Sequence, residues 1–216
     1  MEINKFIDHT ILKATATEAD IIKLCEEAKE YNFFSVCVNS GYVSLAKKNL
    51  AGSNVKVCTV VGFPLGAMST PAKVFEAKQA VKEGAEEVDM VINIGELKSK
   101  NLKKVEQEIT AIKEAIGDLV LKVIIETCYL TRQEIVIASE IAVKAKADYV
   151  KTSTGFGNDG ASLENIALMK SAVNGQAKLK ASGGIKNLDM ALSYIEAGVE
   201  RIGTSSGVSI VKELNG

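Results

Sequence analysis

Histidine is almost missing from this chain of 216 residues, in which His9 stands alone. Imidazole is the commonest metal ligand and the commonest general base. One copy excludes a multi-histidine zinc centre and moves proton chemistry onto carboxylates, lysines, hydroxyls or water. Cysteine is scarce too: Cys25, Cys37, Cys58 and Cys128 form no CxxC pair. A surplus of one charge sign is absent, since 26 Lys and Arg face 27 Asp and Glu for a formal net charge of -1. That leaves no global basic field to hold nucleic acid. No apolar run approaches the ~20 residues of a membrane span. The opening Met1-Glu2-Ile3-Asn4-Lys5 lacks the apolar core of a signal peptide. A cytoplasmic protein with neither nucleic acid nor membrane as partner is expected, and that setting disfavours disulfides. There is also no linker, no low-complexity segment and no GxGxxG after the first strand.

What is present is a sustained alternation. Hydrophobic residues make up 47% of the chain, enough for a substantial core. After a short N-terminal helical or extended segment, β-rich runs occur at Phe6–Thr10, Phe33–Val38, Val55–Val61, Glu86–Ile92, Leu119–Ile125, Ala147–Lys151, Lys178–Ser182 and Val199–Thr204. Between them lie helical stretches with readable ends. Thr17 caps a helix, Thr70-Pro71 starts one, and Gly84 stops it. Lys100 to Ile116 reads as one helix ended by Gly117. Thr131 with Glu134 forms a capping box, Ser162 and Asn187 cap two more, and a last short helix begins near Ser206. Eight such units argue a parallel sheet closed into a single (β/α)₈ barrel domain over residues 1–216, of the TIM-barrel α/β class. An open doubly wound sheet is the alternative.

In such a barrel, chemistry gathers where strands end. Those positions collect Asp8, His9 and Thr10, then Cys37 and Asn39, the VGFPLG loop, Asp89, Lys122, Lys151 with Thr152, and Lys180. Asp89 sits between Val88 and Met90, and Lys122 between Leu121 and Val123. An isolated buried charge costs several kcal/mol, so such residues are paired or change protonation. A space-filling ion pair would explain one Asp with one Lys. Three lysines against one aspartate point instead to an amine whose pKa is pushed down, which is how an amine nucleophile is made. His9 reads as a hydrogen-bonded structural residue and Cys37 as a small buried residue beside the site. Whether Asp8 or Thr10 faces the site stays open, as does whether Lys56 and Arg201 are solvated or neutralise a phosphate.

Two glycine loops suit an anion. Ser182-Gly183-Gly184-Ile185 follows the seventh strand and Gly203-Thr204-Ser205-Ser206-Gly207 ends the eighth. Glycine admits close approach of backbone N–H groups, serine adds donors, and a following helix favours negative charge. Phosphate sites in this architecture occur at these two loops. Ordinary turn glycines are the plainer explanation of either loop alone.

The motifs FIDHTILK, SVCVN, VVGFPLG, EVDMVINIG, KVIIET, DYVKTSTGFG, KASGGI and RIGTSSG, in this order, resemble the deoxyribose-phosphate aldolase family across essentially the whole chain. The resemblance implies a class I aldolase that cleaves 2-deoxy-D-ribose 5-phosphate reversibly, without metal or cofactor, in nucleoside catabolism. It places the Schiff-base lysine at Lys151, proton transfer and activation at Asp89 and Lys180, and phosphate binding around Gly155, Gly183, Gly184, Gly203, Ser205 and Ser206. A homodimer or higher homo-oligomer is implied as well. Spacing alone leaves the imine on either Lys151 or Lys180. Some relatives carry a C-terminal tyrosine linked to proton transfer, whereas the stretch Val211 to Gly216 has none, so either water does that step or the enamine is protonated less efficiently. Phe156 after Gly155 supplies no cation to the phosphate. A transaldolase-like barrel and a non-catalytic sugar-phosphate-binding barrel are the competing functions.

Overall fold

In a computed structural model that describes residues 2–215, eight parallel strands close into a barrel in chain order. They are β1 (Ile7–Ile11), β2 (Ser35–Val38), β3 (Lys56–Val61), β4 (Glu87–Val91), β5 (Val120–Ile124), β6 (Tyr149–Lys151), β7 (Lys178–Ser182) and β8 (Arg201–Thr204). Closure is made by β8 on β1, with Ile7 opposite Ile202 and Asp8 opposite Gly203. That pairing excludes the open sheet. The helices are α1 (Glu18–Glu30), α2 (Val43–Asn49), α3 (Thr70–Glu83), α4 (Ile94–Lys98), α5 (Leu102–Ile116), α6 (Arg132–Lys144), α7 (Leu163–Val173), α8 (Leu188–Glu196) and α9 (Gly207–Asn215). The segment before β1 is a 3₁₀ turn, Ile3–Phe6. Met1 and Gly216, the extremes of the expected N-terminal segment and C-terminal stretch, lie outside the described residues. Among the described residues no helix is long and apolar enough to cross a membrane.

The caps act where their chemistry predicts. Thr17 with Asp20 and Thr131 with Glu134 form reciprocal capping boxes, and Ser162 and Asn187 each accept from the third amide of their helix. The stretch before Ile116 differs from the sequence reading. Asn93 accepts from the Glu96 N–H and starts α4, and α5 begins only at Leu102. A five-residue helix is too short to show a hydrophobic period, so a local cap is its main sequence trace. β6 is shorter than its apolar run because the Ala147 N–H is already bonded to the Ala142 carbonyl at the end of α6.

Alternation along the strands sorts two environments. Val36, Val57, Val88, Leu121, Val150 and Ile202 join the buried faces of the helices, such as Ile109 and Ile112 of α5, in one aliphatic layer. Each such burial contributes about 1.5–3 kcal/mol. The residues between them turn toward the barrel axis. There the apolar part shrinks to Leu12, Cys37, Cys58 and Val60, with Phe63 packed on it. Most of the remaining interior is ionic.

Candidate active site

Asp89 of β4 is fully buried and is the hub of that interior. One carboxylate oxygen accepts from Lys151 Nζ and Lys180 Nζ, each at 2.8 Å. The other accepts from Lys122 Nζ at 2.8 Å and from the Cys58 thiol at 3.1 Å. Lys180 also donates to Asp8, Lys122 pairs with Glu87, and Arg201 bridges Asp8 and Glu87. Phe34 stacks under the Arg201 guanidinium, 3.4 Å from ring centroid to Cζ. Ser35 donates to Asp8 at 2.7 Å.

The expected ratio of three lysines to one aspartate is therefore corrected. Asp8, Glu87 and Asp89 face Lys122, Lys151, Lys180 and Arg201, three anions against four cations. The sequence reading missed Glu87 altogether and left Arg201 open. Both stand at the first position of their strands, where a charge usually meets solvent. The trace they leave is parity: Glu87 and Asp89 are two apart on one strand and so share a face. Burial alone would raise the Asp89 carboxyl, but Lys122, Lys151 and Lys180 outweigh it and hold it well below the usual range. Asp8 is lowered in the same way by Lys180, Arg201 and Lys122 against the effect of burial. Burial works to deprotonate Lys180, but Asp8 and Asp89 overcome it and raise its pKa. Lys122 is raised well above the ordinary amine for the same reason.

Above this network opens a cavity of about 350 Å³ at the carboxyl rim of the strands. Lys151 is the one member of the network that borders it. Register sets Lys151 above Lys122: Lys122 lies opposite Asp89 and Tyr149, whereas Lys151 lies opposite Ile124, one pleat nearer the mouth. Lys180 stands opposite Lys151, but its ammonium is engaged by Asp8 and Asp89. The wall carries Thr10 from β1, Gly155 and Phe156 after β6, Gly183 and Gly184 after β7, and Gly203, Ser205 and Ser206 at β8. Among the described residues the N–H groups of Gly155, Gly183 and Gly184 meet no protein acceptor. Gly183 has φ 87°, and a Cβ there would stand 2.9 Å from Gly160 Cα, so the two loops touch backbone to backbone. Helix α9 starts at Gly207, directly beyond Ser206. Lys13 and Lys186 also border the cavity, two cations the sequence reading did not foresee.

Four residues expected to line the site lie off its wall. Asp8, Cys37 and Lys122 face the axis but sit below the cavity, and Thr152 points the other way because its neighbour Lys151 points in. Thr152 instead ties β6 to β7, donating to the Ser182 carbonyl and accepting its N–H, both at 3.1 Å. Between Asp8 and Thr10 it is thus Thr10 that reaches the cavity. His9 Nε2 meets Glu27 at 2.8 Å and its ring packs on Phe33, away from the chemistry. Lys56 pairs with Glu86 at 2.8 Å on the outside, so neither it nor Arg201 neutralises an anion in the cavity. Cys37, Cys58 and Asp89 bring metal-type donors within 4.8 Å of one another. Lys122 Nζ already lies 3.3 Å from Cys58 Sγ and 2.8 Å from Asp89, so an ammonium fills the place of a cation there.

An amine at the floor of a cavity walled by glycine loops, hydroxyls and two further lysines is equipment for carbonyl chemistry on an anionic substrate. Residues 3–213 match the family described as DeoC/LacD family aldolase. A Finegoldia magna protein named deoxyribose-phosphate aldolase is 59% identical over 98% of this chain and 100% of its own length. A Streptococcus gordonii protein of the same name is 56% identical, covering 98% of this chain and 96% of its own. The solved structure titled "QR15, an Aldolase" superposes with a TM-score of 0.95 at 45% identity, over 99% of this chain and 96% of that one. The Aeropyrum pernix deoxyribose phosphate aldolase, described as a tetramer, gives 0.90 at 30% identity, over 99% and 91%. The chain belongs to the DeoC/LacD family of aldolases.

Proposed function

We propose that this aldolase cleaves 2-deoxy-D-ribose 5-phosphate reversibly to D-glyceraldehyde 3-phosphate and acetaldehyde, with Lys151 as the Schiff-base nucleophile. The carrying observation is that Lys151 alone of the four interior cations borders the same cavity as the glycine loops after β7 and β8. An amine attacks only as the free base. Lys151 holds the fewest carboxylate contacts of the four, so it is the cation least tied down by the interior anions.

Lys151 adds to the aldehyde carbon, and loss of water leaves a protonated imine. The C2–C3 bond then breaks, its electrons move into the imine to form an enamine, and the C3 hydroxyl gives up its proton as glyceraldehyde 3-phosphate leaves. Protonation of the enamine at C2 and hydrolysis release acetaldehyde and restore Lys151. Asp89, bonded directly to Lys151, and Lys180, bonded to the same Asp89 oxygen, are suited to carry these protons. Gly155, Gly183, Gly184, Gly203, Ser205 and Ser206 hold the phosphate and so position the reacting carbon. The names of the bacterial relatives support this substrate.

Borohydride trapping tests the reading. The protein is incubated with the substrate, reduced, digested and mapped by mass spectrometry. A label on Lys151 is expected. A label on Lys180 would exchange the roles of the two lysines, and no label on folded protein would leave a binding barrel. Homo-oligomerisation and a cytoplasmic location belong to the same proposal. A tetrameric relative supports the first, and sedimentation checks it.

A further inference from the structure

Five non-glycine residues among those described have positive φ, and four of them close helices: Asn32, Lys100, Lys146 and Asn174 follow α1, α4, α6 and α7. Glu126, with φ 52° and ψ 70°, instead follows a strand, two residues beyond β5 at the barrel mouth. A left-handed backbone strains any residue with a Cβ. Such strain persists where the surroundings over-determine it, often beside a working site.

What surrounds Glu126 is the loop between β6 and α7. On either side of it, the Ile125 N–H bonds to the Lys151 carbonyl at 3.1 Å and the Thr127 N–H to the Thr152 carbonyl at 3.0 Å. Between those anchors the left-handed turn puts the carboxylate against the loop, with 1% of the residue exposed. It accepts from the Thr154 N–H at 3.2 and 3.3 Å, and also from the Thr154 hydroxyl. The Thr154 hydroxyl oxygen in turn accepts from the Phe156 N–H at 3.0 Å. A Cβ on Gly157 would stand 3.3 Å from Glu126 Cδ. One carboxylate thus braces the arc from Thr154 to Phe156, which borders the cavity beside the loop after β7, where a Cβ on Gly183 would stand 3.6 Å from Gly155 Cα. Among the described residues it has no cation as partner, which makes it an expensive way to fill space. An amide or an apolar side chain would serve stability better.

We propose that Glu126 is a positioning residue for the phosphate end of the substrate, acting through Thr154 to hold the Thr154–Phe156 arc in its anion-receiving shape. The inference rests on the functional reading above. It assigns Glu126 to the choice of phosphorylated over unphosphorylated sugar rather than to bond cleavage.

The test compares wild type, Glu126→Gln, Thr154→Val and the double variant on 2-deoxyribose 5-phosphate and on 2-deoxyribose. Each single change is expected to raise KM for the phosphorylated sugar about tenfold with kcat within about threefold, so that the ratio of kcat/KM between the two sugars falls about tenfold. The double variant is expected to do no worse than the worse single one, because both cut the same chain of bonds. Equal losses on both sugars, or no change on either, would overturn the assignment. If thermal unfolding shows Glu126→Gln misfolded, Thr154→Val decides, since it keeps the carboxylate. A wild type that neither turns over nor traps with borohydride would instead remove the aldolase reading itself.

Discussion

At the level of single residues, the interior charges predict unequal costs. Asp89→Asn leaves two anions under four cations and strips three ammoniums of a shared partner. Removing one partner of a buried ion pair costs about 3–5 kcal/mol, and urea denaturation of Asp89→Asn is expected to show a loss of that order. Lys151→Met brings the interior to three against three and is expected to cost less than about 1 kcal/mol while abolishing borohydride trapping. A loss from Lys151→Met as large as that from Asp89→Asn would refute the charge count. The same contrast shows what the sequence could reveal. Asp89, Lys122 and Lys151 were legible because each interrupts or ends an apolar run. Glu87 and Arg201 open their strands, where nothing separates an inward charge from a solvated one except parity with a residue already suspected. Glu126 was illegible for another reason. Its importance lies in a backbone conformation, and glutamate carries no preference for it.

At the level of elements, the caps and the loops behave differently. The Thr131 hydroxyl accepts from the Glu134 N–H, and the Thr131 N–H donates in return to the Glu134 carboxylate. Thr131→Ala is expected to cost about 1 kcal/mol in thermal or urea unfolding, with turnover unaffected because α6 begins away from the cavity. Gly160→Ala is the opposite case. Its new methyl would run into the backbone of Gly183, forcing the loops after β6 and β7 apart. KM for the phosphorylated sugar is expected to rise about tenfold or more, with a stability loss of about 1–3 kcal/mol from overpacking. An unchanged KM would mean that the two loops do not share the anion. The strands and caps were readable because period-2 alternation and cap chemistry are local. The contact of Gly160 with Gly183 joins residues 23 positions apart through two turns, and no local pattern encodes it.

For the whole molecule, acid should unfold the barrel in two stages. Burial lowers the His9 pKa against the pull of Glu27, so below about 6.5 the unfolded chain binds more protons and stability starts to fall. Asp8 and Asp89 follow. Their folded values lie below the ordinary 3.8, so their contribution is fully present above that value and is lost as pH falls through the lower folded ones. Urea titrations across pH 3 to 8 are expected to show the earlier decline and the onset of the later one, and His9→Gln is expected to remove the earlier one. Stability that rises on acidification below about pH 4 would contradict the ionic interior. That interior also bears on heat. Charged groups hold water less favourably as temperature rises, whereas hydrophobic gain per unit area levels off. A barrel whose axis is lined by Asp8, Glu87, Asp89, Lys122, Lys180 and Arg201 therefore carries its heaviest desolvation penalty when cold and sheds part of it on warming. The floor beneath the reacting amine is thus the part of the protein that heat disfavours least.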